Sequence, residues 1–211
     1  TLSGHPGKPI TITQEKFNGP LPKFDQPVIH AVDGTNQVNL TVAKHVCPTD
    51  QQERYGLTLL NLALGGFFGS RLMQILREEK GLTYGIGSYF KPAFNDYTWT
   101  IAGDLKSENA TEAIAVMHTI FDDLKSNLLS DNELNKIKQY YSGQFRGGFD
   151  GPFAMGGKFQ HLLYRGLDMG YYANVLPGIW RVTAEEVREL ANNYLDPESF
   201  IHVLSGDTVK P

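Results

Sequence analysis

Histidine, cysteine and carboxylate side chains are the residues of this sequence that could carry metal chemistry. A helical zinc pair needs two histidines four residues apart with a carboxylate close by, and none of the six histidines is placed in this way. His118 and Asp122 are four apart on a predicted helix, and His45 and Cys47 are two apart at the end of a predicted strand. Each pair supplies only half of a metal site, so we predict no metal site in this chain.

A nucleophilic serine is not favoured by the sequence either. Ser70 ends the glycine-rich segment Gly65-Gly-Phe-Phe-Gly-Ser70. This segment lacks the Gly-x-Ser-x-Gly order of a nucleophile turn and the lysine of a phosphate loop, so we interpret it as a helix–helix corner that needs glycine for close packing. His161 and His202 are isolated in sequence and are interpreted as structural. A Ser-His-Asp or Cys-His arrangement stays open, because its members need not be adjacent in sequence.

The composition is that of an ordinary globular protein, with 41% hydrophobic and 20% charged residues in 211. The net charge is -4, and no dense basic run occurs, which argues against nucleic acid or an anionic membrane as the main partner. Cys47 is the single cysteine, so an internal disulfide framework is excluded. The longest nearly apolar run, 57–68, is far short of the roughly 20 residues of a transmembrane helix. The compartment is left open, with a bacterial periplasm or cytoplasm both compatible.

The pattern of apolar residues predicts five strands. Val38, Leu40 and Val42 alternate with polar or small residues, which is typical of a half-buried strand. In the strand that begins at Tyr97, Trp99 and Ile101 are expected to face the core. The predicted strands cover residues 28–32, 38–43, 84–91, 97–104 and 199–204. Residues 1–26 hold many prolines and are interpreted as a linker or entry arm, with a single domain over 27–211.

Helices are predicted between and after these strands. Their starts are marked by three capping-box patterns, which are Thr49 with Gln52, Ser130 with Glu133, and Thr183 with Glu186. The first helix should run over 50–64 and a second should start near Ser70, while the glycines of 143–157 indicate a break before a helix that resumes by Pro152. Strands joined by short loops imply a largely antiparallel sheet, and amphipathic helices must cover one of its faces. The predicted fold is therefore a two-layer α+β domain.

One segment resembles a known family. It reads Asn61-Leu-Ala-Leu-Gly-Gly-Phe-Phe-Gly-Ser-Arg-Leu-Met-Gln-Ile-Leu-Arg-Glu-Glu-Lys-Gly-Leu-Thr-Tyr84. The segment is similar to the second, non-zinc-binding domain of the pitrilysin/insulinase family of zinc metallopeptidases. The Val-Thr-Ala-Glu-Glu-Val stretch at 182–187 also resembles the end of such domains, so the resemblance extends over about residues 27–207.

The resemblance implies a division of work between two similar α+β domains of the processing-peptidase type. One domain carries an inverted zinc motif, His-x-x-Glu-His, and the other closes the chamber around a peptide substrate. This sequence has no His-x-x-Glu-His, so it resembles the inactive half, with no cofactor of its own and zinc in the partner domain. The family assigns substrate contacts in this half to an Arg and a Tyr seven residues later, which are Arg77 and Tyr84 here. The chain opens with Thr1 instead of Met, and we expect it to be a piece of a longer protein.

Two glycines follow Tyr84 in the predicted strand. Gly85 and Gly87 fall on one side of it, where glycine often marks a close approach of another backbone. Either a bulky residue such as Trp180 or a helix packs over them, or they leave a lane for an extended peptide or for the partner domain. The rival function is a non-peptidase scaffold subunit related to the processing peptidases, and retention of Arg77 and Tyr84 favours the peptidase. A ferredoxin-like nucleic-acid module is disfavoured by charge.

Overall fold

The sheet of the protein has five strands, with Trp99 and Ile101 fully buried on one of its faces. A computed structural model describes residues 28–32, 37–92, 96–168 and 170–206; the predicted linker therefore lies outside the described residues. The strands are β1 (Val28–Ala31), β2 (Gln37–Val46), β3 (Thr83–Pro92), β4 (Tyr97–Lys106) and β5 (Ile201–Gly206). Their order across the sheet is β1-β5-β2-β4-β3. Only the β1–β5 pair among these is parallel, so the prediction of a largely antiparallel sheet is confirmed.

The helices cover one face of this sheet. They are α1 (Gln51–Asn61), α2 (Ala110–Ser126), α3 (Asp131–Gly147), α4 (Pro152–Arg165), α5 (Gly170–Arg181) and α6 (Ala184–Tyr194). Along β2, Val38, Leu40 and Val42 are buried on the helical side, whereas Gln37 and Asn39 are exposed on the other side. We call this second side the outer face. One hydrophobic core lies between the two layers, which confirms the two-layer α+β fold. Among the described residues, no helix combines the length and apolarity that a bilayer crossing requires.

One capping-box prediction is confirmed in full, a second is confirmed for its cap alone, and the third is wrong. Ser130 and Thr183 cap α3 and α6, each accepting a hydrogen bond from the backbone N–H three residues on. The first helix is capped by Asp50, whose carboxylate accepts from the N–H of Glu53 at 2.8 Å. The Glu53 carboxylate in turn accepts from the backbone N–H of Thr49. The cap therefore lies one residue after the predicted Thr49, and the Glu53 carboxylate bonds to the residue before the cap instead of closing a capping box.

The predicted first and second helices differ from the structure in their winding. α1 continues into a π-helical segment, Leu62–Gly66, and the next helix is π-helical over Met73–Glu79. We call these the first and second π segments. A π turn accommodates an extra residue, so a 3.6-residue periodicity cannot reveal it in sequence, and such turns are frequent at functional sites. Both segments pack against β3, the outermost strand on that side of the described sheet.

Candidate functional site

Tyr84 lies on a β-bulge of the edge strand β3. Thr83 pairs with Leu105 and Gly85 with Asp104, so Tyr84 has no opposite residue on β4. A bulge of this kind bends the strand and redirects a side chain. Tyr84 accordingly projects into solvent with 75% of its surface exposed, and among the described residues its hydroxyl has no hydrogen-bond partner. The phenol is thus presented as a free donor.

The Thr83 side chain holds this bulge in place. Its hydroxyl donates to the carbonyl oxygen of Asp104 at 2.6 Å and accepts from the backbone N–H of Gly85 at 3.1 Å. One buried side chain therefore bonds to both strands on either side of the bulge. Since rigid backbone defines where a side chain points, these bonds fix the backbone that carries Tyr84. Sequence reasoning missed this role, because threonine is common in strands and the alternation of polar and apolar residues does not show what its hydroxyl bonds to.

Arg77 lies near the end of the second π segment, shortly before the start of β3. Its guanidinium carbon is 5.2 Å from the ring centroid of Phe68, and its Nε is 3.5 Å from a carboxylate oxygen of Glu78. The side chain is 39% exposed. A guanidinium has five N–H donors, so these two contacts leave donors free for a ligand.

The chain between Arg77 and Tyr84 makes one sharp turn. Gly81 adopts a left-handed φ of 64°, which glycine reaches without the steric cost of a side chain, and its N–H donates to the carbonyl of Arg77 at 3.2 Å. No hydrogen bond or ring contact joins Arg77 to Tyr84 in the described part of the chain. Arg77 and Tyr84 therefore lie on either side of one turn from helix to strand, without a direct contact between them in the described residues. We call residues 77–84 the rim.

Gly85 and Gly87 lie beside the rim, with open space above Gly85 and the Tyr89 side chain above Gly87. A Cβ atom added at Gly85 would meet no heavy atom within 4 Å, and one added at Gly87 would meet only the side chain of Tyr89, 2.9 Å from its hydroxyl. The alternative that a bulky residue or a helix packs over these glycines is therefore wrong for Gly85, whereas at Gly87 the bulky neighbour is Tyr89 instead of Trp180. Trp180 lies on α5, where its indole N–H donates to the Ser142 hydroxyl at 3.1 Å.

A buried polar network fixes β3 behind the rim. The Ser88 hydroxyl donates to the side-chain oxygen of Asn61 at 2.7 Å and accepts from the indole N–H of Trp99 at 2.8 Å. All three side chains are buried, so the network joins the end of α1 to β3 and β4. A Cβ at Gly65 would come within 2.7 Å of the Ser88 backbone nitrogen. The predicted need for glycine at this position is real, and the close contacts are with β3 and also with Leu72 of the next helix, 2.8 Å away.

A second network holds the start of the second helix. The Arg71 guanidinium bonds to both carboxylate oxygens of Glu133, at 3.1 and 3.2 Å, and also to the carboxylate of Asp123. A two-point arginine–carboxylate pair adds geometric precision to its energy. It ties the helix that carries Arg77 to α2 and α3. Ser70, one residue earlier, is buried, so its hydroxyl is not accessible to a substrate.

The histidines predicted to be isolated have ring neighbours. His202 lies 5.7 Å from His118 between ring centroids, and burial lowers the pKa of both rings. His161 is 3.1 Å from the hydroxyl of Tyr172. Asp122 pairs with Lys125 at 2.7 Å. The described groups therefore do not complete a metal site around His118.

Comparison with known proteins identifies the family of this chain. Residues 1–141 match the family described as the peptidase M16 inactive domain. An uncharacterised zinc protease of Bacillus subtilis is 27% identical over 122 residues, which are 58% of this chain and 30% of the relative. A zinc protease of Streptomyces coelicolor, also uncharacterised, is 23% identical over 171 residues, covering 81% of this chain and 37% of the relative.

A solved structure agrees with these sequence relatives. The crystal structure of a peptidase M16 inactive domain from Pseudomonas fluorescens superposes with a TM-score of 0.75 and 26% identity, covering 92% of this chain and 48% of that one. The chain thus spans about a third of the curated relatives that it matches and about half of the solved chain. The fold predicted from the sequence is the fold of these relatives.

Proposed function

The chain belongs to the peptidase M16 family as one of its inactive domains, and on this premise we propose that it is the substrate-binding, non-catalytic half of a zinc metalloendopeptidase. Its relatives carry the name zinc protease, so hydrolysis of peptide bonds is the activity of the whole to which the domain contributes. In this proposal the domain closes the reaction chamber opposite a homologous zinc-bearing domain, in the same parent chain or in a separate subunit. The substrates are peptides or small unfolded proteins.

The residues of this chain do not fit the catalytic zinc. The sequence has no His-x-x-Glu-His. The resemblance puts that motif on the first long helix, and there Leu57, Leu59 and Leu60 are fully buried in the core. Leucine side chains offer no ligand atom, so the zinc and the water that it activates are assigned to the partner domain. The part left to this chain is to bind and orient the peptide.

The observation that carries the proposal is the free, exposed Tyr84 phenol on a fixed bulge. Tyr84 and Arg77 are strong hydrogen-bond donors at one rim, and neither is consumed by internal contacts. Aimed at a peptide carbonyl, they would hold the substrate backbone or stabilise the oxyanion that develops during attack. Gly85 leaves the surface beside the phenol open, which suits an extended peptide, and the Tyr89 side chain borders this opening at Gly87. Edge strands are also the usual place where a peptide backbone docks.

The glycine lane gives the proposal a direct test. Gly85→Val in the complete enzyme should lower kcat/KM by about 10-fold or more, since a 1.4 kcal/mol clash with the bound peptide is sufficient. Stability should change by less than about 0.5 kcal/mol, because the new side chain enters open space. Peptide cleavage rates and thermal melts of the same preparations measure the two effects separately.

Thr98→Val is the matched control, because it places the same side chain in an exposed position of β4. It should leave both activity and melting temperature near the wild-type values. Equal cleavage by the Gly85 variant and the wild type would remove the lane from the proposal. A large fall in melting temperature for Gly85→Val would instead mean that the position is packed.

A further inference from the structure

The end of β2 and the start of β4 bring three potential metal ligands together on the surface. The Nε2 atom of His45 is 3.0 Å from a carboxylate oxygen of Asp96 and 3.8 Å from the sulfur of Cys47. One ligand atom from each of the three residues lies within 4.8 Å of the other two. Among the described residues, this is the one group of three such side chains that close.

The backbone geometry of the sheet brings these three residues close together, so their proximity does not depend on a single side-chain rotamer. His45 and Cys47 are two apart, and alternate residues of an extended chain point to the same side. The antiparallel register pairs Val46 with Tyr97, so the next positions outward, Cys47 and Asp96, lie opposite each other. The sequence revealed only the His45–Cys47 half, because Asp96 comes 51 residues after His45 and joins it only through the register.

The spacing is within about 0.3 Å of that in a zinc-binding shell. With zinc bonds of about 2.0–2.3 Å at tetrahedral angles, ligand atoms lie roughly 3.3–3.7 Å apart. The nitrogen–oxygen distance of 3.0 Å and the nitrogen–sulfur distance of 3.8 Å lie on either side of this range. His45 and Cys47 are exposed and Asp96 is half-buried, so an ion can enter from solvent and keep a water as fourth ligand.

The chemistry of the donors selects the ion. A thiolate and an imidazole favour zinc and related transition metals, whereas magnesium and calcium prefer oxygen ligands alone. The geometry points to a Zn²⁺ site formed by His45, Cys47 and Asp96 on the outer face. The bound ion would link the end of β2 to the start of β4. This inference revises the sequence-based expectation that the chain binds no metal.

This site is separate from the peptide-cutting zinc of the proposed enzyme. Its residues belong to no His-x-x-Glu-His motif. Asp96 and Asp104, the β4 residue at the bulge of Tyr84, are eight residues apart. At about 3.4 Å of rise per residue, roughly 27 Å separate the two places. The inference therefore holds or fails independently of the proposed function.

Cobalt, a spectroscopic substitute for zinc, tests the site in the 211-residue chain. The metal-free chain should take up one equivalent of Co²⁺ with a thiolate-to-cobalt charge-transfer band in the near ultraviolet, and one equivalent of Zn²⁺ should abolish the band. Cys47→Ser should remove the charge-transfer band. His45→Ala and Asp96→Asn should each weaken cobalt binding by about 10-fold or more, because even residues that only support a metal ligand have effects of that size. Circular dichroism checks that the variants remain folded.

Asp104→Asn serves as the matched control, since it removes another carboxylate of the same strand pair, bonded at 3.0 Å to Asn39. It should bind cobalt as the wild type does. Alkylation of Cys47 in the wild type, read by mass spectrometry, gives a second measurement that needs no variant: Zn²⁺ should protect the thiol and a chelator should restore its reactivity. Absence of the band, a band that survives Cys47→Ser, or alkylation unaffected by Zn²⁺ would each overturn the inference.

Discussion

Replacing Tyr84 by phenylalanine in the complete enzyme is expected to lower kcat by about 10²–10³-fold, the usual cost of losing one donor to a transition-state oxygen. The phenol is exposed and without an internal hydrogen-bond partner among the described residues, so its removal leaves no buried group unsatisfied and should not change the fold. Arg77→Ala should have a loss of similar size, because it removes the other free donor of the rim. Steady-state cleavage of a peptide substrate measures both.

The division of the loss between kcat and KM identifies what the rim binds. A fall in kcat alone means that the donors act on the developing oxyanion, whereas a rise in KM alone means that they hold the substrate backbone equally in ground and transition states. Arg188→Ala, at an arginine on α6, is the matched control. Wild-type kcat/KM in both rim variants would remove Arg77 and Tyr84 from the mechanism.

Ser88→Ala is expected to cause the largest loss of stability among small changes behind the rim. It leaves the Asn61 oxygen without its donor and the Trp99 N–H without its acceptor. Each unsatisfied buried group costs about 1–3 kcal/mol, so unfolding should become easier by about 2 kcal/mol or more. At about 2–4 °C per kcal/mol for a domain of this size, the melting temperature should fall by roughly 5 °C or more.

Ser205→Ala provides the control for this change, because Ser205 is a strand serine outside the core. Its effect should stay within about 0.5 kcal/mol. A Ser88→Ala protein with wild-type stability in urea unfolding would mean that water or a shifted side chain replaces the hydroxyl. In that case the network would not be what holds β3 against α1.

Local signals in the sequence predicted most of the fold correctly. Alternation placed Trp99 and Ile101 in the core, and the serine and threonine caps of α3 and α6 are where the capping pattern put them. The first cap was misplaced by one residue because Thr49–Gln52 and Asp50–Glu53 both satisfy that pattern. Sequence alone does not show that Asp50 is the cap and that the Glu53 carboxylate bonds to Thr49.

The candidate site was predictable only in part. Arg77 and Tyr84 were identified through the family resemblance, but the bulge that exposes Tyr84 depends on how β3 pairs with β4. Thr83 and Ser88 act through partners 21 and 27 residues away, and no local pattern reports such pairs. Asp96 escaped notice for the same reason. Long-range register is therefore the information that the structure adds to the sequence.

Photo-crosslinking from position 84 tests the central claim most directly. A benzoylphenylalanine placed there in the complete enzyme should, on irradiation, form a covalent bond with a bound peptide substrate, and an unlabelled peptide should compete it away. The same group at position 153, where an exposed phenylalanine lies on α4, is the control and should not label the peptide. Competable labelling at 84 and not at 153 is the result that we predict. Absence of labelling at 84 while the enzyme still cleaves the peptide would contradict the account.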